Sequence, residues 1–412
     1  MRRRILIAVL LVATFTILPF CHPVVETKAE MTNVKQAIDV ACVFATGGLG
    51  DKSFNDMAKA GLDRAISEGL MNPWGSGSQY SEPDEIAEYA GLIENYATAG
   101  TYDLIVTIGF DQSTAVNTTA LAHPEQPIVL IDMVIVQGAV RSVVFNAGQG
   151  SFLVGAMAGL MTEKNKVGFV GGMDIPLIRE FWAGYKAGVL YENDEVEVFE
   201  NFVGDWDDPV TGKSQAEALW AQGVDIIFSA AGKSGLGVLE SVEDKEVGKY
   251  WVIGVDSDQD WLYPGQVLCS MMKRVDLGVY HAVADVYNDE WIASADPFAM
   301  DIVAMQMTND PDTNGVGISP LTYTKDEIGT ANIAEVNETV RGKILDGSIR
   351  IPVNESDLED WLDEMDIDTS KGDGIPGFEW LFTLGGLAVI PVIISAIIAP
   401  GSSVRGLSLV TK

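Results

Sequence analysis

VGFVGGMDIPLIREFWAGYKAGV, residues 167–189, runs from an apolar strand pattern through two glycines into a helical pattern. The same order of strand, Gly-rich or polar loop and helix recurs along the chain in two series. Strands are predicted at 38–45, 104–109 and 128–131 in the first series, and at 167–171, 196–202, 226–230 and 250–256 in the second. Alternating strands and helices indicate parallel sheets covered by helices on both faces. We therefore predict an α/β protein with two doubly wound, Rossmann-like lobes.

Polar or Gly-rich segments follow most of these strands. Folds of this kind bind ligands outside the carboxyl ends of their parallel strands. We therefore expect a ligand-binding cleft between the lobes, formed where these loops face each other. The loops are 45–51, 109–112, 204–208, 232–237 and 256–259, and Asp132 follows one further strand.

The sequence DKSFN, residues 51–55, lies where the first strand passes into a helix. Asp51 or Ser53 at this point is suited to cap the helix, which is a purely structural role. Phe54 is harder to explain structurally, because an aromatic side chain in the first turn projects towards the loops. A planar ligand could stack on Phe54, and Asn55 offers both a hydrogen-bond donor and an acceptor.

Trp206 lies among three aspartates in GDWDDP, residues 204–209, another loop at the carboxyl end of a strand. It either covers the loop backbone or stacks on a ligand. Asp132 and Asp256 each end an apolar strand, where a carboxylate can accept hydrogen bonds from sugar hydroxyls or ring N–H groups. Capping a helix or carrying a surface charge is the structural alternative for each of them.

Both ends of the chain have the composition of targeting segments. Residues 1–30 begin with Met-Arg-Arg-Arg and an apolar run, which is typical of a secretory signal, with a permanent anchor as the alternative. Residues 354–376 are acidic and predict a solvated stalk. Residues 378–400 are apolar and long enough for a C-terminal transmembrane helix. Arg405 and Lys412 follow it, so the main body is expected on the extracellular face of the membrane.

Composition argues against several functional classes. The formal net charge of −33 excludes nucleic acid as an expected partner. Three cysteines cannot form a disulfide framework, and Cys42 and Cys269 are expected to be buried small hydrophobic residues. The chain lacks HExxH and GxSxG sequences, and the glycine that would begin a P-loop before Gly232 is Ile227. We therefore expect a protein that is not an enzyme and has no cofactor and no metal site.

Several longer runs resemble the basic-membrane-protein family, the nucleoside-binding lipoproteins of ABC importers. Besides DKSFN and residues 167–189, the resemblance rests on DLIVTIGF (103–110), DIIFSAAGKSGLG (225–237), VIGVDSDQ (252–259) and SMMKRVDLG (270–278). The runs occur in the family's order, and the resemblance covers about residues 36–350.

The resemblance implies a type I periplasmic-binding fold, in which two lobes close on a nucleoside that is then passed to an ABC permease. Lobe 1 would comprise 36–145 and about 275–304, and lobe 2 would comprise 146–274 and about 305–350. The implied site has nine residues. Phe54 and Trp206 would stack on the two faces of the base; the family usually has Phe at the second position. Asn55 and Asp132 would form hydrogen bonds with the edge of the base, and Asp256 and Lys273 would bind the ribose hydroxyls. Gly232 would let the backbone approach the ligand, and Asp51 and Ser53 would add polar contacts.

Two other functions remain open at this point. A receptor of the same fold could serve sensing or adhesion instead of import. An extracellular nucleoside hydrolase could use Asp51, Asp132 and Asp256 to chelate calcium, although the positive charge of Lys273 would oppose a metal there.

Overall fold

Two six-stranded sheets frame the protein in the computed structural model, which describes residues 35–291 and 301–367. With strands numbered in chain order, the first sheet has the order β11-β5-β4-β3-β1-β2 and is parallel throughout. Its strands are β1 (Val40–Val43), β2 (Gln79–Ser81), β3 (Leu104–Ile108), β4 (Ile128–Ile131), β5 (Val140–Phe145) and β11 (Asp301–Met305).

The second sheet has the order β12-β10-β9-β8-β6-β7, and its edge strand β12 is antiparallel to β10. Its strands are β6 (Lys166–Gly171), β7 (Glu197–Phe202), β8 (Ile226–Ala230), β9 (Trp251–Asp256), β10 (Val267–Lys273) and β12 (Val316–Ile318). The two strand orders match position by position, so β4 of the first sheet corresponds to β9 of the second, and β5 corresponds to β10.

Helices cover the sheets. The helices are α1 (Phe54–Ser67), α2 (Tyr89–Ala99), α3 (Ser113–Ala122), α4 (Ala147–Met161), α5 (Pro176–Glu192), α6 (Pro209–Ala221), α7 (Gly235–Glu240), α8 (Val275–Tyr287), α9 (Lys325–Ala334), α10 (Arg341–Leu345) and α11 (Glu355–Glu364). Every residue of β3, β4 and β9 is buried, as expected for parallel strands with both faces covered. We call the first sheet with α1, α2, α3 and α8 lobe 1, and the second sheet with the remaining helices lobe 2.

The chain passes between the lobes three times within the described residues. It leaves lobe 1 between Phe145 and Ala147, returns between Lys273 and Val275, and crosses again between Met305 and Val316. Two of these crossings directly follow the carboxyl ends of β5 and β10. The crossings therefore hold the ligand-binding edges of both sheets close together.

Glycines allow α4 and α5 of lobe 2 to touch backbone to backbone. A Cβ atom on Gly188 would lie 2.1 Å from the carbonyl oxygen of Phe152, and one on Gly155 would lie 2.2 Å from that of Tyr185. Both distances are too short for any side chain. The two helices consequently pack at a separation that only glycine permits at these positions.

The start of the predicted acidic stalk is instead a packed helix. Asn354 caps α11 by accepting a hydrogen bond from the backbone N–H of Asp357 at 2.9 Å. Leu358, Trp361 and Leu362 are buried, and the Trp361 ring packs edge-on against Phe152 with 6.0 Å between ring centroids. The prediction of a solvated stalk overlooked these apolar residues, whose helical spacing places them on one face.

The prediction of a transmembrane helix in this fold is corrected by the structure. Within residues 35–291 and 301–367, no helix is both long and apolar enough to cross a bilayer. The longest of them, α5, has 17 residues and includes Arg179, Glu180 and Lys186, whereas a span needs about 20 predominantly apolar residues. The segments 1–30 and 378–400, which carried the signal and anchor predictions, lie outside the described residues.

The two cysteines in the described part of the chain behave as predicted. Cys42 in β1 and Cys269 in β10 are both free thiols with no solvent exposure. Burial raises the pKa of each thiol well above its ordinary value, so neither is a reactive thiolate.

Candidate functional site

A cavity lies between the carboxyl ends of the two sheets, as the polar strand-end loops predicted. It contains about 690 Å³ of empty space, part of it open to solvent. Lobe 1 contributes the loops after β1, β3 and β4, and lobe 2 contributes the loops after β7 and β8, the ends of β9 and β10 and the first turns of α5. Small-molecule sites commonly lie between domains and at the carboxyl ends of parallel strands, as this cavity does.

A buried ion pair between two residues that line this cavity joins the two lobes. Lys273, the last residue of β10, places its Nζ 2.5 Å from Oδ2 of Asp132, which follows β4. Lys273 is 2% exposed and Asp132 is 9% exposed. Two charges so far from water are stable only when they are well paired. The second oxygen of Asp132, Oδ1, is buried and has no hydrogen-bond partner among the described residues.

Asp256, which ends β9, occupies the position in lobe 2 that corresponds to Asp132 in lobe 1. Its Oδ2 accepts a hydrogen bond from Ser53 Oγ at 2.5 Å, a second direct contact between the lobes. Burial raises the pKa of Asp256 to about 6, while the charge of Lys273 and the hydrogen bond from Ser53 act in the opposite direction. Asp132 and Asp256 both have positive φ angles, 70° and 64°, which are uncommon for residues other than glycine.

Lys273 is surrounded by a third acidic group and by an aromatic ring. Burial raises the pKa of the Glu180 carboxyl to about 7, and the negative charge of Asp132 also raises it. The hydrogen bond from the Gly148 N–H and the positive charge of Lys273 act in the opposite direction and lower this pKa. The Nζ of Lys273 also lies 4.9 Å from the centroid of the Phe54 ring. Lys273 therefore lies among several acidic groups and close to an aromatic face.

The two aromatic residues predicted to hold a planar ligand both line the cavity, one from each lobe. Phe54 is the first residue of α1 and is half-buried. Trp206 lies in the loop after β7, where its ring covers the backbone of lobe 2. A Cβ on Gly172 would lie 2.3 Å from Cζ3 of the indole, and one on Gly232 would lie 3.5 Å from Cε3. The absence of a side chain at Gly172 therefore leaves the room that the indole occupies, whereas a Cβ at Gly232 would make only ordinary van der Waals contact with it.

Asp51 and Asn55 hold the loop as well as facing the cavity. Asp51 accepts hydrogen bonds from the backbone N–H groups of Ser53, Asn55 and Asp56, which orders the start of α1. Asn55 Oδ1 accepts from the N–H of Ala45 at 2.9 Å. Burial raises the pKa of Asp51, while these backbone donors lower it. Ser53 does not line the cavity and acts through its bond to Asp256.

Lys233, the residue after Gly232, also lines the cavity. Its Nζ lies 2.8 Å from Oδ1 of Asp207. The ion pair links the loop after β8 to the loop that carries Trp206. Lys233 therefore helps to position the Trp206 loop.

The sequence predictions missed one wall of the cavity. Leu177, Ile178 and Phe181 of α5 line it. Phe110 and Asp111 also line the cavity; they lie in the predicted loop 109–112, but neither was singled out as a site residue. The loop that begins with the two glycines after β6 also lies at the carboxyl edge of a sheet, which was a usable signal for the α5 residues.

The geometry does not favour the calcium-dependent hydrolase. In the part of the chain that the structure describes, no group of three or more His, Cys, Asp or Glu side chains is arranged to hold a metal ion. The carboxylate of Asp51 is used by three backbone N–H groups. Asp132 and Asp256 both interact with the positive charge of Lys273.

Comparison with known proteins identifies the class to which this two-lobe structure belongs. The model of a family described as "ABC transporter substrate-binding protein PnrA-like", named Bmp, matches residues 38–354. A crystal structure of ABC transporter solute-binding proteins from Aeropyrum pernix superimposes with a TM-score of 0.67 at 28% identity, covering 81% of this chain and 98% of that one. The chain belongs to the Bmp family, and the predicted two-lobe periplasmic-binding fold is confirmed.

Relatives with assigned names agree with this family. The ABC transporter nucleoside-binding protein BmpA of Lactococcus lactis is 31% identical over 63% of this chain and 75% of its own length. An uncharacterized lipoprotein of Pyrococcus abyssi is 33% identical over 65% of this chain and 67% of its own length. The protein is thus a substrate-binding protein of an ABC transporter, working at the cell surface with a small-molecule ligand and a permease as partners.

Proposed function

We propose that this protein captures a purine nucleoside between its lobes outside the cell, without chemical turnover, and delivers it to an ABC importer. One observation carries the proposal: Phe54 of lobe 1 and Trp206 of lobe 2 line the same cavity as the buried charges of Asp132, Lys273 and Asp256. An aromatic residue from each lobe suits a flat ring, and the charges suit hydroxyl and N–H groups. The nucleoside-binding relative from Lactococcus lactis supports this ligand class.

In this proposal each group has its own part in binding. The base stacks on Phe54 and Trp206, and each stacking contact contributes about 1–3 kcal/mol by the measure of alanine substitution. The unpartnered Oδ1 of Asp132 accepts a donor from the base edge. Asp256 and Lys273 bind the ribose hydroxyls, and the backbone at Gly232, free of a side chain, approaches the ligand closely.

Closure of the lobes excludes water from the site. The carbonyl oxygen of Lys52 in lobe 1 accepts hydrogen bonds from Ser257 Oγ at 2.5 Å and Gln259 Nε2 at 2.9 Å in lobe 2. With the Ser53–Asp256 and Lys273–Asp132 contacts, these bonds fix a closed arrangement that a permease can distinguish from an open one.

Isothermal titration calorimetry on the purified full-length chain tests the proposal. We expect one purine nucleoside bound per chain, and a Kd about tenfold or more weaker for Phe54→Ala and for Trp206→Ala, because each loses one stacking face. The Kd of Trp206→Phe for the nucleoside should stay within a few-fold of the wild-type Kd, because phenylalanine keeps an aromatic face for stacking. Trp261→Ala, which removes an exposed tryptophan outside the cavity, is the matched control.

Two results would contradict the proposal. The first is heat on addition of sugars or amino acids but with no nucleoside, which would change the ligand class. The second is release of free base from a bound nucleoside, detected by chromatography, which would restore the hydrolase alternative.

A further inference from the structure

A carboxylate that the sequence did not single out lies at the lobe 1 side of the cavity. Asp111 follows Gly109 at the carboxyl end of β3 and lines the cavity. Its Oδ2 accepts a hydrogen bond from the hydroxyl of Tyr89 at 3.2 Å. The same Tyr89 oxygen accepts the backbone N–H of Thr46 at 2.8 Å. Tyr89, which is 1% exposed, therefore holds Asp111 and the glycine-rich loop after β1 in one arrangement.

The other oxygen of Asp111 has no use within the described protein. Oδ1 is buried and has no hydrogen-bond partner among the described residues. Burial raises the pKa of Asp111, and burial together with the Asp111 charge raises that of Tyr89 to about 12. Leaving a buried acceptor unsatisfied is costly, so a carboxylate in this state is suited to receive a donor from a ligand.

Gly109 places this oxygen beside the proposed stacking face. A Cβ on Gly109 would lie 2.9 Å from Asp111 Oδ1 and 3.9 Å from Cε1 of the Phe54 ring. The missing side chain thus leaves the carboxylate next to the edge of the ring. The φ of Gly109 is 115°, a conformation that glycine adopts without strain. A base stacked on Phe54 would present its own edge towards Asp111.

We infer that Asp111, positioned by Tyr89, accepts the N1–H of a 6-oxopurine base, so that the site favours guanosine and inosine over adenosine. The inference rests on the proposed function and deepens it. Guanine and hypoxanthine carry a proton on N1, and guanine adds an amino group beside it. The N1 of adenine is an acceptor, whose lone pair would face the lone pairs of the carboxylate. Specificity of this kind comes from a polar group that the wrong ligand leaves unpaired.

The test compares guanosine, inosine and adenosine by calorimetric titration of wild type, Asp111→Ala, Asp111→Asn and Tyr89→Phe. Wild type should bind guanosine at least about tenfold more tightly than adenosine, because a hydrogen bond to a charged group is worth about that ratio or more. Asp111→Ala should weaken guanosine binding by about tenfold to a hundredfold. The ratio of the affinity for guanosine to the affinity for adenosine should therefore fall close to one. Tyr89→Phe should lower the same ratio by a smaller factor.

Asp111→Asn keeps the shape of the side chain and adds a donor, so it should shift the ratio towards adenosine even if the alanine variant folds poorly. The exposed Asp84→Ala removes the same charge outside the cavity and should leave the ratio at its wild-type value. A wild-type ratio near one, or an unchanged ratio in both Asp111 variants, would overturn the inference while leaving the proposed function intact. Failure of wild type to bind any nucleoside would instead overturn the proposed function.

Discussion

At the scale of single residues, Asp132 and Asp256 show that the two lobes place an aspartate at the same position of their sheets. Each follows or ends the corresponding strand of its sheet, and each has a left-handed backbone conformation. Such conformations cost free energy in residues other than glycine and are often found at functional sites. Each carboxylate then pairs across the cavity with the opposite lobe, Asp132 with Lys273 and Asp256 with Ser53.

The pKa of Asp256 leads to a prediction about pH. The folded chain holds a proton on Asp256 up to about pH 6, whereas the unfolded chain releases it near the ordinary value of 3.8. Between these values, raising the pH favours the unfolded chain. We expect Asp256→Asn, which carries no charge, to gain about 2–3 kcal/mol in free energy of unfolding relative to wild type between pH 4 and pH 7.5. Chemical denaturation of both proteins at the two pH values measures this, and a difference independent of pH would contradict it.

The candidate site was predictable from sequence where a residue type was unusual for its place. An aromatic residue at a helix start drew attention to Phe54, and a tryptophan among aspartates drew attention to Trp206. Asp111 was missed because an Asp in a turn is ordinary. Only the tertiary structure shows that its Oδ2 accepts from Tyr89, 22 residues earlier in the chain, while its Oδ1 has no partner among the described residues. Phe181 was missed because a helical apolar pattern does not distinguish a core from a cavity wall.

At the scale of elements, amphipathic helices were easier to predict than buried ones. The helical pattern noted within residues 167–189 corresponds to α5, which runs from Pro176 to Glu192. The 15 residues of α4 show no polar face, because 12 of them are buried. A helix enclosed on all sides has no periodic pattern to detect. The strand β2 is a three-residue edge strand and was too short to be recognised.

The contact between α4 and α5 gives a prediction about packing. Gly188→Ala would place a Cβ 2.1 Å from the Phe152 carbonyl oxygen, so the two helices would have to separate. We expect the free energy of unfolding to fall by about 1–3 kcal/mol, as for other overpacked cores. Gly342→Ala in α10, where a Cβ would meet no atom within 4 Å, should be neutral or stabilising by up to about 1 kcal/mol. Equal stabilities of the two variants in urea denaturation would contradict this explanation.

At the scale of the whole molecule, the contacts of Lys52 with Ser257 and Gln259 couple ligand binding to closure. These two bonds join the lobes without occupying the ligand site. Their loss should shift the free protein towards more open arrangements, so that binding must supply the free energy of closing.

We therefore expect Ser257→Ala to weaken nucleoside binding by about twofold to tenfold, the equivalent of one hydrogen bond. The free variant should also have a larger radius of gyration than free wild type in small-angle X-ray scattering. The matched control is Ser214→Ala, which removes a hydroxyl bonded to a backbone carbonyl within α6. Binding and scattering equal to wild type in Ser257→Ala would show that this contact does not stabilise the closed state.

The sequence by itself determined the class of fold, because alternating strands and helices, each with its own periodicity, leave few arrangements other than parallel sheets between helices. It also determined which loops carry the polar and aromatic residues, since these follow directly from strand ends. Only the tertiary structure decided which of those groups are paired and which have no partner among the described residues. It also decided that α11 packs against lobe 2. Pairing depends on distances between residues far apart in the chain, such as the 141 positions between Asp132 and Lys273, and local sequence patterns carry no information about them.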